Sequence, residues 1–279
     1  MASKTKSKTK PKTKAKPKKK SQKKNTAKSD KKRIIAIVIL TVAALGIAAA
    51  VFAFHSGRKQ PPAAITFDKE VAWGIDVSHH NGKIDWKKVS AAADFAFIRV
   101  GYRGYTKGEI NKDTQADDNL KQANKNDIPV GVYFYSQAIN EAEAEEEAAF
   151  LLDNIKHYDI SLPVVLDFEY AFVNGQHGGR LYDAQLTKEQ RTSLINAFCD
   201  KVRRAGYIPG VYASSYIFRT ELNMKDLADD IYIWVADYNK VMTYAGRYDI
   251  RQYSESGACD GVSENVDTNY FYTQNRNQE

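Results

Sequence analysis

The chain has 279 residues and a net charge of +7, but the charge is unevenly placed. Residues 1–33 hold sixteen Lys/Arg and one acid, Asp30, a local +15 that leaves −8 for residues 34–279. A mildly acidic main body argues against a basic nucleic-acid-binding domain, and two cysteines, Cys199 and Cys259, are too few for a disulfide framework.

Residues 4–33 repeat Lys-Thr, Lys-Ser and Lys-Pro units with no apolar residue larger than Ala. Residues 1–33 therefore read as a Lys-rich, disordered cytoplasmic tail. Such a tail can meet phosphate backbones nonspecifically, but no specific nucleic acid is expected; attraction to anionic lipid head groups agrees better with the apolar run beside it. That run, Ile34–Phe54, is 21 residues without a charge, roughly 31 Å as a helix, the thickness of a bilayer core. With the basic tail before it, this reads as a single transmembrane signal-anchor helix, N-terminus cytoplasmic and everything after about residue 55 extracytoplasmic. A cleaved signal peptide competes, but its apolar region is normally shorter and its basic leader briefer. Residues 55–70, with Pro61-Pro62, read as a linker.

From Val71 to Glu279 apolar runs alternate with amphipathic segments. Strands are expected at 72–78, 95–102, 129–136, 162–169, 209–214, 231–237, 249–253 and 261–267. Helices are expected at 85–92, 113–126, 141–155 and 187–205, the last opening on a Thr187-x-x-Gln190 capping box. The acids at 141, 143 and 145–147 read as a solvated helix face. Strand–helix alternation argues a parallel sheet, and eight strands fit a compact α/β barrel with few late helices. Cys199 falls in a helical pattern and reads as a small packed residue; a Cys199–Cys259 bridge stays open.

One strand, Leu162–Glu169, ends in Asp167-Phe168-Glu169. Side chains alternate along a strand, so the two acids share a face with Cα atoms roughly 6.6 Å apart. Two carboxyl groups at the end of a buried strand will not ionise alike, the arrangement that acid/base chemistry on a glycosidic bond uses. In a barrel the other strand ends reach the same mouth. They supply Asp76, Tyr102, Tyr133, Tyr135, Trp234, Asp237, Gln252 and Asp267.

The segments WGIDVSHHNGKIDW, FAFIRVGYRG, GVYFYSQA, PVVLDFE, IWVADY and GVSENVDTNYF, in this order, resemble the family 25 glycoside hydrolases over residues 71–273. The resemblance implies a modified (β/α)8 barrel with reduced late helices and lysozyme activity on peptidoglycan. The bond cut would be the β-1,4 link between N-acetylmuramic acid and N-acetylglucosamine. It implies Glu169 as general acid and Asp167 as its partner, steering the substrate's N-acetyl group. Asp76 and Asp267 enter as supporting acids, and Tyr102, Tyr133, Tyr135, Trp234, Asp237 and Gln252 as cleft residues. No metal or cofactor is implied, and the catalytic domain is expected to be monomeric. Arg251 and Asp237 depart from the family pattern. The Tyr170–Asp183 loop is longer than a minimal connection and would border the groove.

Other chemistries fit less well. There is no His-Glu-x-x-His motif, and adjacent His79 and His80 would diverge on an extended segment. A chitinase-type Asp-x-Asp-x-Glu would need an acid where Val165 stands. A membrane-tethered module that grips peptidoglycan without cutting it is the alternative from a different class.

Overall fold

The structure is a computed structural model that describes residues 65–273. The expected tail, the anchor Ile34–Phe54 and most of the linker lie outside the described residues. Among the described residues no helix is long and apolar enough to cross a membrane.

The first half of the fold runs β1 (Val71–Val77), α1 (Trp86–Ala92), β2 (Phe95–Arg103), β3 (Ile110–Lys112), α2 (Ala116–Lys125), β4 (Val130–Ser136), α3 (Glu141–Ile155) and β5 (Val164–Phe168). A hairpin of β6 (Ala171–Val173) and β7 (Gln176–Gly178) comes next, then α4 (Arg180–Asp183) and α5 (Lys188–Arg204). The remainder is β8 (Pro209–Ser214), α6 (Ser215–Thr220), β9 (Tyr232–Ala236), β10 (Ile250–Gly257) and β11 (Val266–Tyr272). Local chemistry sets the helix starts. Asp85 caps α1 by accepting from Lys88 N, Asn140 caps α3, and Thr187 and Gln190 form the expected capping box on α5.

Eight strands close into a ring in the order β1-β2-β4-β5-β8-β9-β10-β11, with β11 returning to β1. Seven are parallel. β11 runs antiparallel to both neighbours, and no helix stands between β9 and β11. β3 hangs on the outer side of β2 as a hairpin. The last strand therefore differs from expectation: it covers Val266–Tyr272, not 261–267, and its direction is reversed. Residues 258–265 are too short a connection for a crossover and return the chain antiparallel, whereas the longer connection 237–249 carries it from β9 into a parallel β10.

Alternation along each strand divides the core in two. Val164, Leu166 and Phe168 face outward into the layer shared with the helices, and Val165 faces into the barrel with Phe95, Phe97, Trp234, Ile250 and Phe271. These rings plug the lower barrel. Gly131 has no side chain because the Phe97 ring fills the space; an added Cβ would sit 2.2 Å from it. The plug extends further toward the N-terminus than the expected boundary at Val71. Phe67 lies 5.8 Å from the Phe95 ring and 5.4 Å from Phe271, so part of the assumed linker belongs to the barrel floor. Cys199 is fully buried against Gly210 O, Cys259 is buried, and both thiols are free.

The acids of α3 are not simply a solvated face. Glu147 is fully buried and accepts from Arg103 Nε (2.7 Å) and Ser136 Oγ (2.6 Å). Glu143 holds Arg180 through two bonds, of 2.6 and 2.9 Å. The helix thereby pins the loops after β2 and β5, both at the mouth of the barrel.

Candidate active site

Above the aromatic plug the inward positions turn polar. On β5 the inner face continues Val165, Asp167, Glu169. On β1 it carries Asp76, on β2 Arg99, on β4 Tyr133 and Tyr135, on β8 Tyr212, on β9 Trp234 and on β10 Gln252. Because β11 is reversed, its first residues lie at the mouth, and Asp267 pairs in register with Asp76. These side chains, Val165 excepted, line one cleft of about 770 Å³. Tyr102 joins them through a bulge: Arg99 pairs with Tyr133 and Gly101 with Phe134, so Tyr102 is turned inward beside Tyr135 and Arg103 outward to Glu147.

The acids are held in different ways. Asp76 is buried, and its Oδ2 accepts from Gln252 Nε2 (2.9 Å) and Asn269 Nδ2 (2.8 Å). Those amides are fixed in turn. Trp234 Nε1 donates to Asn269 Oδ1 (2.9 Å), and Tyr212 and Tyr238 donate to Gln252 Oε1 at 2.8 and 2.6 Å. Burial still raises the Asp76 carboxyl. Asp267 shares a hydrogen bond with Asp76 and is pushed up to about 8, by burial first and by the Asp76 charge second. Its proton is the one shared, since the amides already favour ionised Asp76.

Asp167 is buried and its Oδ1 has no hydrogen-bond partner. Burial pushes it well above the usual carboxylate range, the Glu169 charge adds to this, and Arg99 opposes it. Glu169 is half-buried and is pushed up to about 7, by burial and then by the Asp76 charge. Gln137 Nε2 donates to the Glu169 carbonyl (3.0 Å), fixing the backbone where the strand ends. Arg99 is the cation that opposes the upward shifts of both Asp167 and Glu169. Its Nε donates to Asp113 Oδ2 (2.8 Å), Nη2 meets His79 Nδ1 (2.5 Å), and its guanidinium lies 5.4 Å from the Tyr102 ring centre.

Nine of the ten expected residues line the cleft. Asp237 does not. It is buried behind the wall, where its Oδ2 accepts from Thr243 N (2.6 Å) and Oγ1 (2.7 Å) and its Oδ1 from Asn239 Nδ2 (2.8 Å); these bonds hold its carboxyl low. Arg251 also points away from the cleft and donates to Asp237 O (3.0 Å) and Asn239 O (2.6 Å). The two departures from the family pattern thus brace one loop together. His79 and His80 do not diverge, because a 3₁₀ turn over His79–Asn81 brings their rings to 4.1 Å.

Residues that sequence reasoning missed are Arg99, Tyr212, Asn269, Tyr105 and Phe172. Strand alternation could have found Tyr212, between Val211 and Ala213, and Asn269, two residues past Asp267. Alternation marks Arg99 as well, a lone charge between Ile98 and Val100; nothing local marks Tyr105 and Phe172.

Residues 75–262 match the glycosyl hydrolases family 25. The chain belongs to that family. Lysozyme M1 of Streptomyces globisporus is 28% identical over 208 residues, 71% of this chain and 67% of that protein. A bacterial lysozyme structure from Streptomyces coelicolor matches with TM-score 0.59 and 25% identity, covering 74% of this chain and 97% of that one. The modular autolysin LytC of Streptococcus pneumoniae, solved with a synthetic peptidoglycan ligand, matches with TM-score 0.62 and 29% identity. That match covers 74% of this chain, which spans about half of the autolysin, 48%. Family 25 membership makes the chain a glycoside hydrolase of the lysozyme type. The matched span holds Asp76, Asp167 and Glu169 and stops short of Asp267, which only the pairing of β11 with β1 brings to the site.

Proposed function

We propose that this protein is a membrane-tethered muramidase that cuts the β-1,4 bond between N-acetylmuramic acid and N-acetylglucosamine in peptidoglycan. The observation that carries the mechanism is the buried, partnerless Oδ1 of Asp167 beside a Glu169 raised to about 7. In the free site the two carboxyl groups hold a proton between them. A substrate acetamido N–H donated to Asp167 favours its ionised form and drives the proton onto Glu169. Glu169 then protonates the leaving glycosidic oxygen as general acid. Asp167 holds the acetamido group so that its carbonyl oxygen bonds to the anomeric carbon as the glycosidic bond breaks, and stabilises the positive charge on the ring so formed. Water then adds at the anomeric carbon, opens that ring and returns a proton to Glu169. Asp76, ionised and hydrogen-bonded by protonated Asp267, supplies a negative field to the site. Tyr102, Tyr133, Tyr135, Trp234 and Gln252 shape the wall. No step needs a metal or cofactor.

The test is release of reducing ends from purified peptidoglycan, with products weighed by mass spectrometry. Glu169→Gln is nearly isosteric and is expected to lower turnover by about 10²–10⁴-fold with the fold intact. A loss below tenfold would remove the general-acid assignment. Wild-type protein that binds wall and releases nothing would favour a noncatalytic wall-binding module. The tether rests on Ile34–Phe54 and the basic tail before it. Protease added to intact cells is expected to reach the catalytic domain and to spare residues 1–33; the opposite pattern would reverse the orientation.

A further inference from the structure

Phe172 sits on the β6–β7 hairpin, three residues beyond Glu169, and is 71% exposed. It lines the cleft together with Tyr105, which is 45% exposed and comes from the β2–β3 connection. One exposed ring is ordinary on a protein surface. Two rings at one cleft, on separate loops that are clamped to each other, ask for a reason.

The clamp is specific. Arg180 N donates to Tyr105 O (2.9 Å). Gly179, at φ +85°, lets the backbone pass so close to Tyr105 that an added Cβ would stand 3.1 Å from it. Gly108, at φ +78°, does the same under the Arg180 guanidinium, where an added Cβ would meet it at 2.8 Å. That guanidinium is held by Glu143 and by Gln137 O (2.9 Å). Behind Phe172, His177 lies edge-on at 5.6 Å and itself packs against Tyr170 and Tyr182 at 5.8 and 5.9 Å. Phe172 is thus exposed and also positioned before any ligand arrives, which lowers the ordering cost of binding.

We infer that Tyr105 and Phe172 form a stacking subsite for a sugar ring of the glycan strand next to the reacting pair. The inference rests on the muramidase reading above. Three residues span at most roughly 10 Å of chain, which keeps the Phe172 backbone near Glu169, while its exposure sets the ring apart from the buried acids Asp76 and Asp167. Aromatic faces are electron-rich and attract the C–H face of a pyranose. A stem peptide would instead need charged partners. The two guanidiniums beside the rings are already engaged, Arg180 by Glu143 and Arg103 by Glu146 and Glu147.

The test is equilibrium binding by the full-length chain carrying Glu169→Gln, which holds substrate without cutting it. The probes are soluble glycan strands stripped of peptides and the corresponding disaccharide. Adding Phe172→Ala is expected to weaken strand binding about three- to tenfold and disaccharide binding less than about twofold, and Phe172→Tyr to restore the strand. Strand affinity unchanged by Phe172→Ala, or equal weakening for both probes, overturns the subsite. Wild-type cleavage with unchanged strand affinity in Phe172→Ala sinks the subsite alone. Strand binding that depends on Phe172 in a wild type that releases no reducing ends sustains the subsite and sinks the muramidase reading.

Discussion

Asp167 and Glu169 share a face, yet only Asp167 has a buried oxygen without a partner. The difference fixes a pH dependence. If Glu169 must carry its proton, kcat/KM on peptidoglycan should fall as pH rises through about 7. A rate that climbed across that range would show the ionised form to be the active one. The same shifts set stability. These carboxyls ionise near ~4 in an unfolded chain, but near 7 at Glu169 and 8 at Asp267 in the fold. Their folded pKa values are raised, so the folded state binds extra protons in that window and stability falls as pH rises from about 4 to about 8. Glu169→Gln or Asp267→Asn removes the penalty. The Tm of either variant relative to wild type should therefore increase from about pH 5 to about pH 8; a gap that narrowed would contradict the shifts.

At the scale of elements, α3 is the support of the mouth. Arg103 and Glu147 are both buried, so Arg103→Ala leaves a carboxyl without its cation and frees the loop after β2. A loss of about 3–5 kcal/mol in urea unfolding is expected, and a loss under about 1 kcal/mol would show the pair to be replaceable. The barrel floor makes a similar demand at β4. Gly131→Ala drives a methyl into the Phe97 ring and should cost about 1–3 kcal/mol. The bulge in β2 matters as much: it alone turns Tyr102 into the cleft and sends Arg103 to α3.

For the whole molecule, the described residues close on themselves. Thr273 N donates to Glu70 O (3.0 Å), and Phe67 packs under the barrel. A chain beginning at Ile65 should fold and keep the activity of the full-length protein. One beginning at Val71 loses the half-buried Phe67 and should be less stable by about 1–2 kcal/mol. Equal denaturation midpoints for the two would place the domain edge back at Val71.

The sequence by itself determined the strand–helix alternation, the capped helices, and the two acids on one face of β5. Those features are written in local periodicity and composition. The expected strand ends supplied Asp76 and Asp267 and resemblance gave them their roles, yet the sequence placed Asp267 at the end of a parallel strand. Only the closed barrel decided that β11 is reversed and that Asp267 meets Asp76. Only the fold decided that Asp237 and Arg251 serve a loop, that the acids of α3 bind Arg103 and Arg180, and that Phe172 overlooks the cleft. Strand direction, a bulge and a buried ion pair join residues far apart in the chain, and local spacing does not encode such partners.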